Sequence, residues 1–129
     1  MTTAEPTASP VDSLAADLLE TWVAPDPARR RAVAERIWAP DGRLVVAPAG
    51  IVAEGIDAID AHTPRVHDER ITGQGMRFAY DRAVESEQLV LLRWSMLAPD
   101  ATVVARGVDV VRRTADNRVA SVHMFMGVD

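Results

Sequence analysis

A chain of 129 residues, of which 48% are apolar and 26% charged, has the size and composition of one globular domain. It contains no cysteine, which excludes a disulfide framework, a thiolate zinc site and a cysteine nucleophile. The formal net charge of -5 argues against a nucleic-acid partner, because phosphate binding requires a concentrated basic surface. No apolar run is long enough to span a membrane and no signal-peptide pattern is present, so we expect a cytoplasmic protein. All 14 basic residues are arginine, which indicates coding bias.

The N-terminal part of the chain predicts a tail followed by two helices. Residues 1–10 lack apolar periodicity and are expected to be a disordered tail, which leaves 11–129 as the domain. Apolar residues recur at helical spacing over 11–22. Asp26 and Pro27 are typical of an N-cap and a first helical residue, so they predict the start of a second helix.

The middle of the chain predicts a short strand and a third helix. Residues 39–42 have turn chemistry, residues 44–47 form a short strand, and residues 48–50 form the next turn. The third helix is expected to follow Gly55. Pro64 should kink or end it, because proline lacks an amide hydrogen and clashes with the preceding turn.

From about residue 71 onward, apolar and polar residues alternate as in half-buried strands. The four expected strands contain residues 76–80, 88–97, 103–113 and 119–126, respectively. Helices that precede a run of antiparallel strands favour the α+β class, with three N-terminal helices packed on one face of the sheet.

Two titratable residues stand at positions that should be apolar. Asp109 lies inside the strand 103–113, where a carboxylate must be paired, hydrated in a pocket or protonated. It is either the partner of an arginine or a solvent-facing residue, or else a pocket acid with a raised pKa. His62 shares the inner face of the third helix with Ile59 and is either a satisfied core residue or an acid/base partner. His67 should point elsewhere, which removes the spacing of a helical metal site.

Large or soft apolar side chains are candidates for the wall of a cavity. Each is either plain core or part of a site for an apolar ligand. The candidates are Trp22, Trp38, Tyr80, Trp94, Met96, Met124 and Met126. His123 has the opposite parity to Met124 on its strand and is expected at the surface or at an interface.

Three motifs carry a family resemblance. They are IWAPDG at residues 37–42, EGIDAI at 54–59 and RGVDVV at 106–111. Because the three motifs occur in this order and spacing, the chain resembles the SnoaL-like, or nuclear transport factor 2-like, superfamily over residues 11–127. The resemblance implies a cone-shaped, cystatin-like fold, with the helices on a curved antiparallel sheet that encloses a pocket.

The last third is also similar to the ketosteroid isomerases of that superfamily. The similarity places Asp109 at the position of a protonated oxyanion-hole aspartate and Trp22 at that of an oxyanion tyrosine. Residues 45–47 are apolar where the general-base aspartate is expected, so this resemblance does not imply steroid isomerisation. It places His62 and four of the candidates at pocket positions, namely Trp94, Met96, Met124 and Met126.

Taken together, these features favour a cofactor-free and metal-free acid/base enzyme that acts on a small apolar or polycyclic metabolite. Cyclisation, isomerisation and hydrolysis are all compatible, and the polyketide cyclases of the superfamily offer an analogy. Asp109 would donate or relay a proton, and His62 would be its partner. The alternative is a non-catalytic ligand-binding or accessory module. We expect a homodimer through the outer sheet face, with neither nucleic acid nor a membrane as partner.

Overall fold

The computed structural model describes the backbone of residues 10–128, with the side chains of 10, 64–67, 70 and 72 excepted. The predicted tail, except Pro10, and the side chain of His67 lie outside the described residues. The described residues form three helices and six strands, together with a π-helical segment at His67–Thr72. The helices are α1 Pro10–Val23, α2 Pro27–Ile37 and α3 Ile56–Val66. The strands are β1 Trp38–Ala47, β2 Ile51–Glu54, β3 Arg77–Ser86, β4 Leu89–Leu97, β5 Val103–Arg113 and β6 Val119–Met126.

The start of α2 forms as its sequence predicts. The Asp26 carboxylate accepts a hydrogen bond from the backbone amide of Ala28 at 3.0 Å, and Pro27 is the first helical residue. Just behind this cap, the buried Arg30 guanidinium donates to the carbonyl of Ala24. Because that carbonyl lies in the connection between α1 and α2, Arg30 ties the two helices together at this end.

Pro64 was expected to kink or end the third helix, and it does not end it. The chain stays helical through α3 and continues into the π-helical segment. Pro64 itself lies within α3, and the π-helical segment begins only at His67.

The strands form one curved, unclosed sheet in the order β2-β1-β6-β5-β4-β3. All neighbouring strands are antiparallel except β1 and β6, which are parallel, so the sheet is mixed rather than antiparallel throughout. No hairpin constrains the direction of this pair, because α3 and the other strands lie between them in the chain. The α+β class is otherwise as expected.

The first strand is longer than predicted, and its antiparallel partner β2 was not predicted. Residues 39–42 belong to β1, where an irregular register between Trp38 and Arg43 accommodates the turn-forming sequence. The turn at 48–50 does form, and Gly50 has a positive φ of 73° there. It leads into β2, which has only four residues.

The helices cover the inner face of the sheet, with α1 against β3 and α3 against β1. Most of the large core side chains come from this layer and from the inner strand positions. They include Leu18, Trp22, Val33, Ile37, Leu44, Ile59, Leu92, Trp94, Val111 and Val122. None of the helices in the described part of the chain is long and apolar enough to cross a membrane.

Candidate functional site

A cavity of about 620 Å³ lies between the helices and the inner face of the sheet. Its wall is mainly apolar and combines aromatic rings, aliphatic side chains and thioethers. The four methionines that line it are Met76, Met96, Met124 and Met126. They come from β4, β6 and the residue before β3, so separate sheet segments contribute a soft, adaptable surface to one space.

Three aromatic rings form the deep wall of this cavity. Trp22 and Phe78 stack with ring centroids 6.3 Å apart, and Phe78 and Trp94 stack at 5.2 Å. All three residues are buried. Trp22 comes from α1 whereas the other two lie on adjacent strands, so this aromatic layer joins the helices to the sheet.

The cavity reaches solvent on the side away from the aromatic layer. Ile51, Val104 and Met126 line it and are exposed, as is Glu69 in the π-helical segment. Among the described lining residues, the titratable side chains are Glu69 and the half-buried His62. The His62 ring meets Trp22 edge to face, with centroids 5.8 Å apart. An imidazole therefore stands in an apolar space with access from outside.

Asp109 lies behind the aromatic layer, on β5. Its side chain is 0% exposed, and its two carboxylate oxygens accept hydrogen bonds from different donors. The Tyr80 hydroxyl donates at 2.9 Å and the Trp94 indole Nε1 donates at 3.0 Å. Its cross-strand neighbours on β4 and β6, Leu92 and Met124, are both apolar.

Burial controls the ionisation of this pair. Loss of hydration raises the pKa of Asp109 from 3.8 to about 7, although the two donated hydrogen bonds act in the opposite direction. The pKa of Tyr80 is also raised well above 10.0, first by burial and then by the neighbouring Asp109 charge. Asp109 is therefore an acid poised near neutral pH, whereas Tyr80 keeps its proton.

Asp109 borders a second, much smaller cavity of about 10 Å³. Trp38 and Tyr80 also line it, and Trp22 lies between this inner cavity and the large one because it lines both. The buried Trp38 Nε1 has no hydrogen-bond partner within the described part of the chain. This space is at the lower limit of what one water molecule needs, so it cannot admit a metabolite without rearrangement.

The sequence-predicted site residues therefore separate into two groups. The large cavity is lined by six of them: Trp22, His62, Trp94, Met96, Met124 and Met126. The inner cavity is lined by Asp109, Trp38 and Tyr80, and again by Trp22. His62 and Asp109 face different cavities, with the aromatic layer between them.

Two important lining residues were missed by the sequence analysis. Phe78 was recognised as part of a half-buried strand, but its position between Trp22 and Trp94 depends on how α1 packs. Glu69 was overlooked because Pro64 was expected to kink or end the helix before it. A helical continuation of α3 beyond Pro64 would have placed Glu69 seven residues after His62, on the same helical face.

No curated protein matches this sequence, but a family model and solved structures do. The model of the SnoaL-like domain matches residues 15–122. A SnoaL-like family protein from Agrobacterium tumefaciens strain C58, provisionally described as an isomerase, has a TM-score of 0.77 at 26% identity, covering 91% of this chain and 97% of that one.

Two further structures are similar in fold. A SnoaL-like protein from Jannaschia sp. CCS1, provisionally described as a polyketide cyclase, has a TM-score of 0.65 at 16% identity, covering 98% of this chain and 91% of that one. A protein of unknown function with a cystatin-like fold, from Methylobium petroleophilum PM1, has a TM-score of 0.67 at 15% identity, covering 95% and 79%. These similarities confirm the predicted cystatin-like α+β fold.

Proposed function

The chain belongs to the SnoaL-like domain family, and from that premise we propose that it is a cofactor-free enzyme acting on a small apolar or polycyclic molecule by acid/base chemistry. The reaction would be a cyclisation, an isomerisation or a hydrolysis. The observation that carries the proposal is the large apolar cavity with one imidazole in its wall.

The cavity suits a small apolar ligand in both size and lining. Its volume of about 620 Å³ lies within the range of about 300–1,000 Å³ that is typical of ligand pockets. Aromatic rings offer flat contact surfaces, and methionine side chains adapt to irregular shapes. A planar or polycyclic molecule could therefore bury most of its surface against the aromatic layer.

His62 is the group best placed to move a proton to or from such a ligand. Imidazole is the side chain whose charge ordinarily changes near neutral pH, and it can act as acid or base. Glu69, at the mouth of the same cavity, is a second polar group that could orient a ligand. A positioned proton-transfer group typically contributes about a hundredfold to ten-thousandfold in rate.

Asp109 enters this proposal as a positioning residue. It holds the Trp94 indole, whose ring lines the large cavity, and the Tyr80 hydroxyl. Direct proton donation by Asp109, as the sequence suggests, would require the ligand to pass the aromatic layer. The rate effect of Asp109 should therefore come through the placement of Trp94.

A second candidate function is ligand binding without chemistry. The complete burial of Asp109 favours it, because the strongest acid/base candidate is shielded from the large cavity. The two functions share the binding step and differ only in whether His62 transfers a proton to bound molecules.

Binding can be tested with a neutral polycyclic fluorophore such as Nile red. Emission from the fluorophore should rise on addition of protein, and Ala105→Trp should weaken binding at least tenfold because Ala105 lines the cavity and an indole would fill it. Ala32→Trp places the same ring on an exposed position of α2 and serves as the matched control. Equal binding by both variants would refute the cavity as the site.

Catalysis can be tested with 5-nitrobenzisoxazole, whose ring opens when a base removes one carbon-bound proton. We expect turnover about a hundredfold above that in buffer, and loss of this acceleration in His62→Gln. His123→Gln, which changes a histidine on the outer face of β6, should leave the rate unchanged. Binding of Nile red without any acceleration would select the non-catalytic function.

We also propose that the outer sheet face forms a homodimer. The registers of all six strands place one row of mainly apolar residues across this face. The row consists of Val84, Leu91, Val110, His123, Val45 and Val52. Three of these apolar side chains are exposed in the single chain, as is the nearby Phe125, which supports burial against a second copy.

A further inference from the structure

The outer face of the sheet is basic, although the chain as a whole has a net charge of -5. Strand registers place six arginines on this face, and Glu54 is an acidic residue that they place there. The arginines are Arg43, Arg77, Arg82, Arg93, Arg106 and Arg112. Positive charge is therefore concentrated on the face that the helices leave uncovered.

Three of these arginines line one groove of about 270 Å³. Arg82 on β3 stands directly opposite Arg93 on β4. Arg106 on β5 precedes by two residues Val108, the cross-strand partner of Arg93, and so lies diagonally next to Arg93. Neighbours in such positions are about 5 to 8 Å apart at Cβ, which is within reach of one shared ligand group.

None of these three guanidinium groups has an ion pair or a hydrogen bond within the described part of the chain. Other arginines do have such partners; Arg29 and Arg36, for example, each bind a carboxylate with two nitrogens. The difference is not one of exposure, because both sets are exposed. The groove therefore offers donors that the fold itself does not use.

Like charges directly opposite each other in a sheet are destabilising, so a compensating negative charge would stabilise this arrangement. Asp81 also lines the groove, but its carboxylate accepts a hydrogen bond from the Ser95 hydroxyl and balances only one of the three positive charges. A formal charge of about +2 is left over, as expected for three arginines and one carboxylate.

We propose that this groove binds an oxyanion group, phosphate or a similar polyanion, carried by a small molecule. The planar fork of each guanidinium presents paired N–H donors that match oxyanion geometry, and three forks can surround one group. Within this groove a second copy of the chain fits less well than an oxyanion, because its own outer face carries the same excess of arginine. The apolar row proposed above for the homodimer does not line the groove.

This oxyanion groove is separate from the large apolar cavity, although Trp94 borders both. Gly107 also lines the groove. The inference does not rest on the proposed enzyme function. Oxyanion binding and Nile red binding can fail independently of each other.

Calorimetric titration of the full chain with inorganic pyrophosphate tests the proposal. We expect saturable one-to-one binding at physiological salt, weakened at least tenfold in Arg93→Gln. Arg93→Lys should give an intermediate loss, because it keeps the charge but removes the fork. Arg112→Gln is the matched control, with the same charge change on the same face outside the groove, and should alter the affinity less than twofold.

Several outcomes would overturn the proposal. An equal loss in Arg112→Gln would mean that pyrophosphate senses only the general charge of the face. Absence of binding to the folded wild-type chain, judged by its thermal melt, would exclude the groove as an oxyanion site. If Arg93→Gln instead changed only the mass of the particle in solution, the groove would be filled by a second copy of the chain.

Discussion

Asp109 is held by groups that favour its charged form and by surroundings that oppose it. Both the Tyr80 hydroxyl and the Trp94 indole donate to it, and yet burial raises its pKa to about 7. A carboxyl with this pKa changes its charge in the physiological range. Its protonation state therefore affects both the stability of the fold and the hydrogen bond that holds the indole of Trp94.

This raised pKa predicts how stability depends on pH. The carboxyl loses its proton near pH 3.8 when unfolded and near pH 7 when folded, so the folded state binds more protons between these values. The free energy of unfolding should therefore fall as pH rises from about 4 to about 7, by roughly 4 kcal/mol, and then level off. Urea denaturation of the wild type and Asp109→Asn across this range measures the effect.

The Asp109→Asn variant lacks the titrating group, and contributions from all other residues are common to both proteins. The wild type should therefore lose roughly 4 kcal/mol of unfolding free energy relative to the variant as pH rises from about 4 to about 7. If the two proteins gave parallel profiles of unfolding free energy against pH, the pKa of Asp109 in the folded protein would be close to its ordinary value.

Gly107 is required by the close approach of two buried groups. A Cβ at this position would stand 2.1 Å from Trp94 Cζ2 and 2.5 Å from the carbonyl oxygen of Phe125. Trp94 is held by Asp109 and the oxygen belongs to the neighbouring strand, so neither moves easily. Gly107→Ala should lower the free energy of unfolding by about 3 kcal/mol, as measured by urea denaturation.

Gly50→Ala provides the control for this prediction. Gly50 has a φ of 73° but no atom within 4 Å of an added Cβ, so only backbone strain opposes alanine there. Its cost should be about 1 kcal/mol. Similar losses at both positions would mean that the sheet yields around Gly107 and that the contact with Trp94 is not limiting.

At the level of elements, the N-cap of α2 is a local feature that the sequence encodes completely. The Asp26 carboxylate satisfies the amide of Ala28, which has no partner within the helix. Asp26→Ala should therefore cost about 1 kcal/mol in thermal or urea unfolding, whereas Asp26→Ser should keep most of the stability. If serine failed to rescue the alanine loss, the charge of Asp26 and not its hydrogen bond would be responsible.

The same distinction between local and distant interactions explains what the sequence predicted of the fold. The cap at Asp26 and the alternation in β5 and β6 depend on neighbouring residues, so the elements they define were found with accurate bounds. The turn expected at 39–42 was wrong because this segment extends into a strand that pairs with β6, which is distant in sequence. With only four residues, β2 gives too short an alternation to detect.

The candidate site followed the same rule. The sequence offered Met96, Met124 and Met126 as candidates for a cavity wall and the resemblance placed them at pocket positions, and all three line the large cavity. The sequence left open whether Asp109 faces solvent or a pocket. Which cavity it borders depends on Trp22 and Phe78, which meet only when α1 packs on the sheet. Whether these residues act in catalysis stays a prediction.

For the whole molecule, the outer sheet face combines two opposing influences on self-association. Its central row is mainly apolar and includes exposed Val84, Leu91 and Val52, which favours burial against a second copy. Its surrounding arginines repel their counterparts in a two-fold dimer, because such an interface apposes the same face of both chains. The dimer should therefore strengthen as salt screens this repulsion.

Light scattering after size exclusion at low and high salt measures this balance. We expect the dimer fraction to rise with salt. Leu91→Arg should be a monomer at both salt concentrations, because it replaces a central apolar contact with another positive charge. Ile51→Arg introduces the same charge at an exposed apolar residue of the inner face, which lines the large cavity, and should leave the mass unchanged. A dimer that resisted Leu91→Arg but dissociated in Ile51→Arg would move the interface to the mouth of the cavity, and the same contact would then close the ligand site.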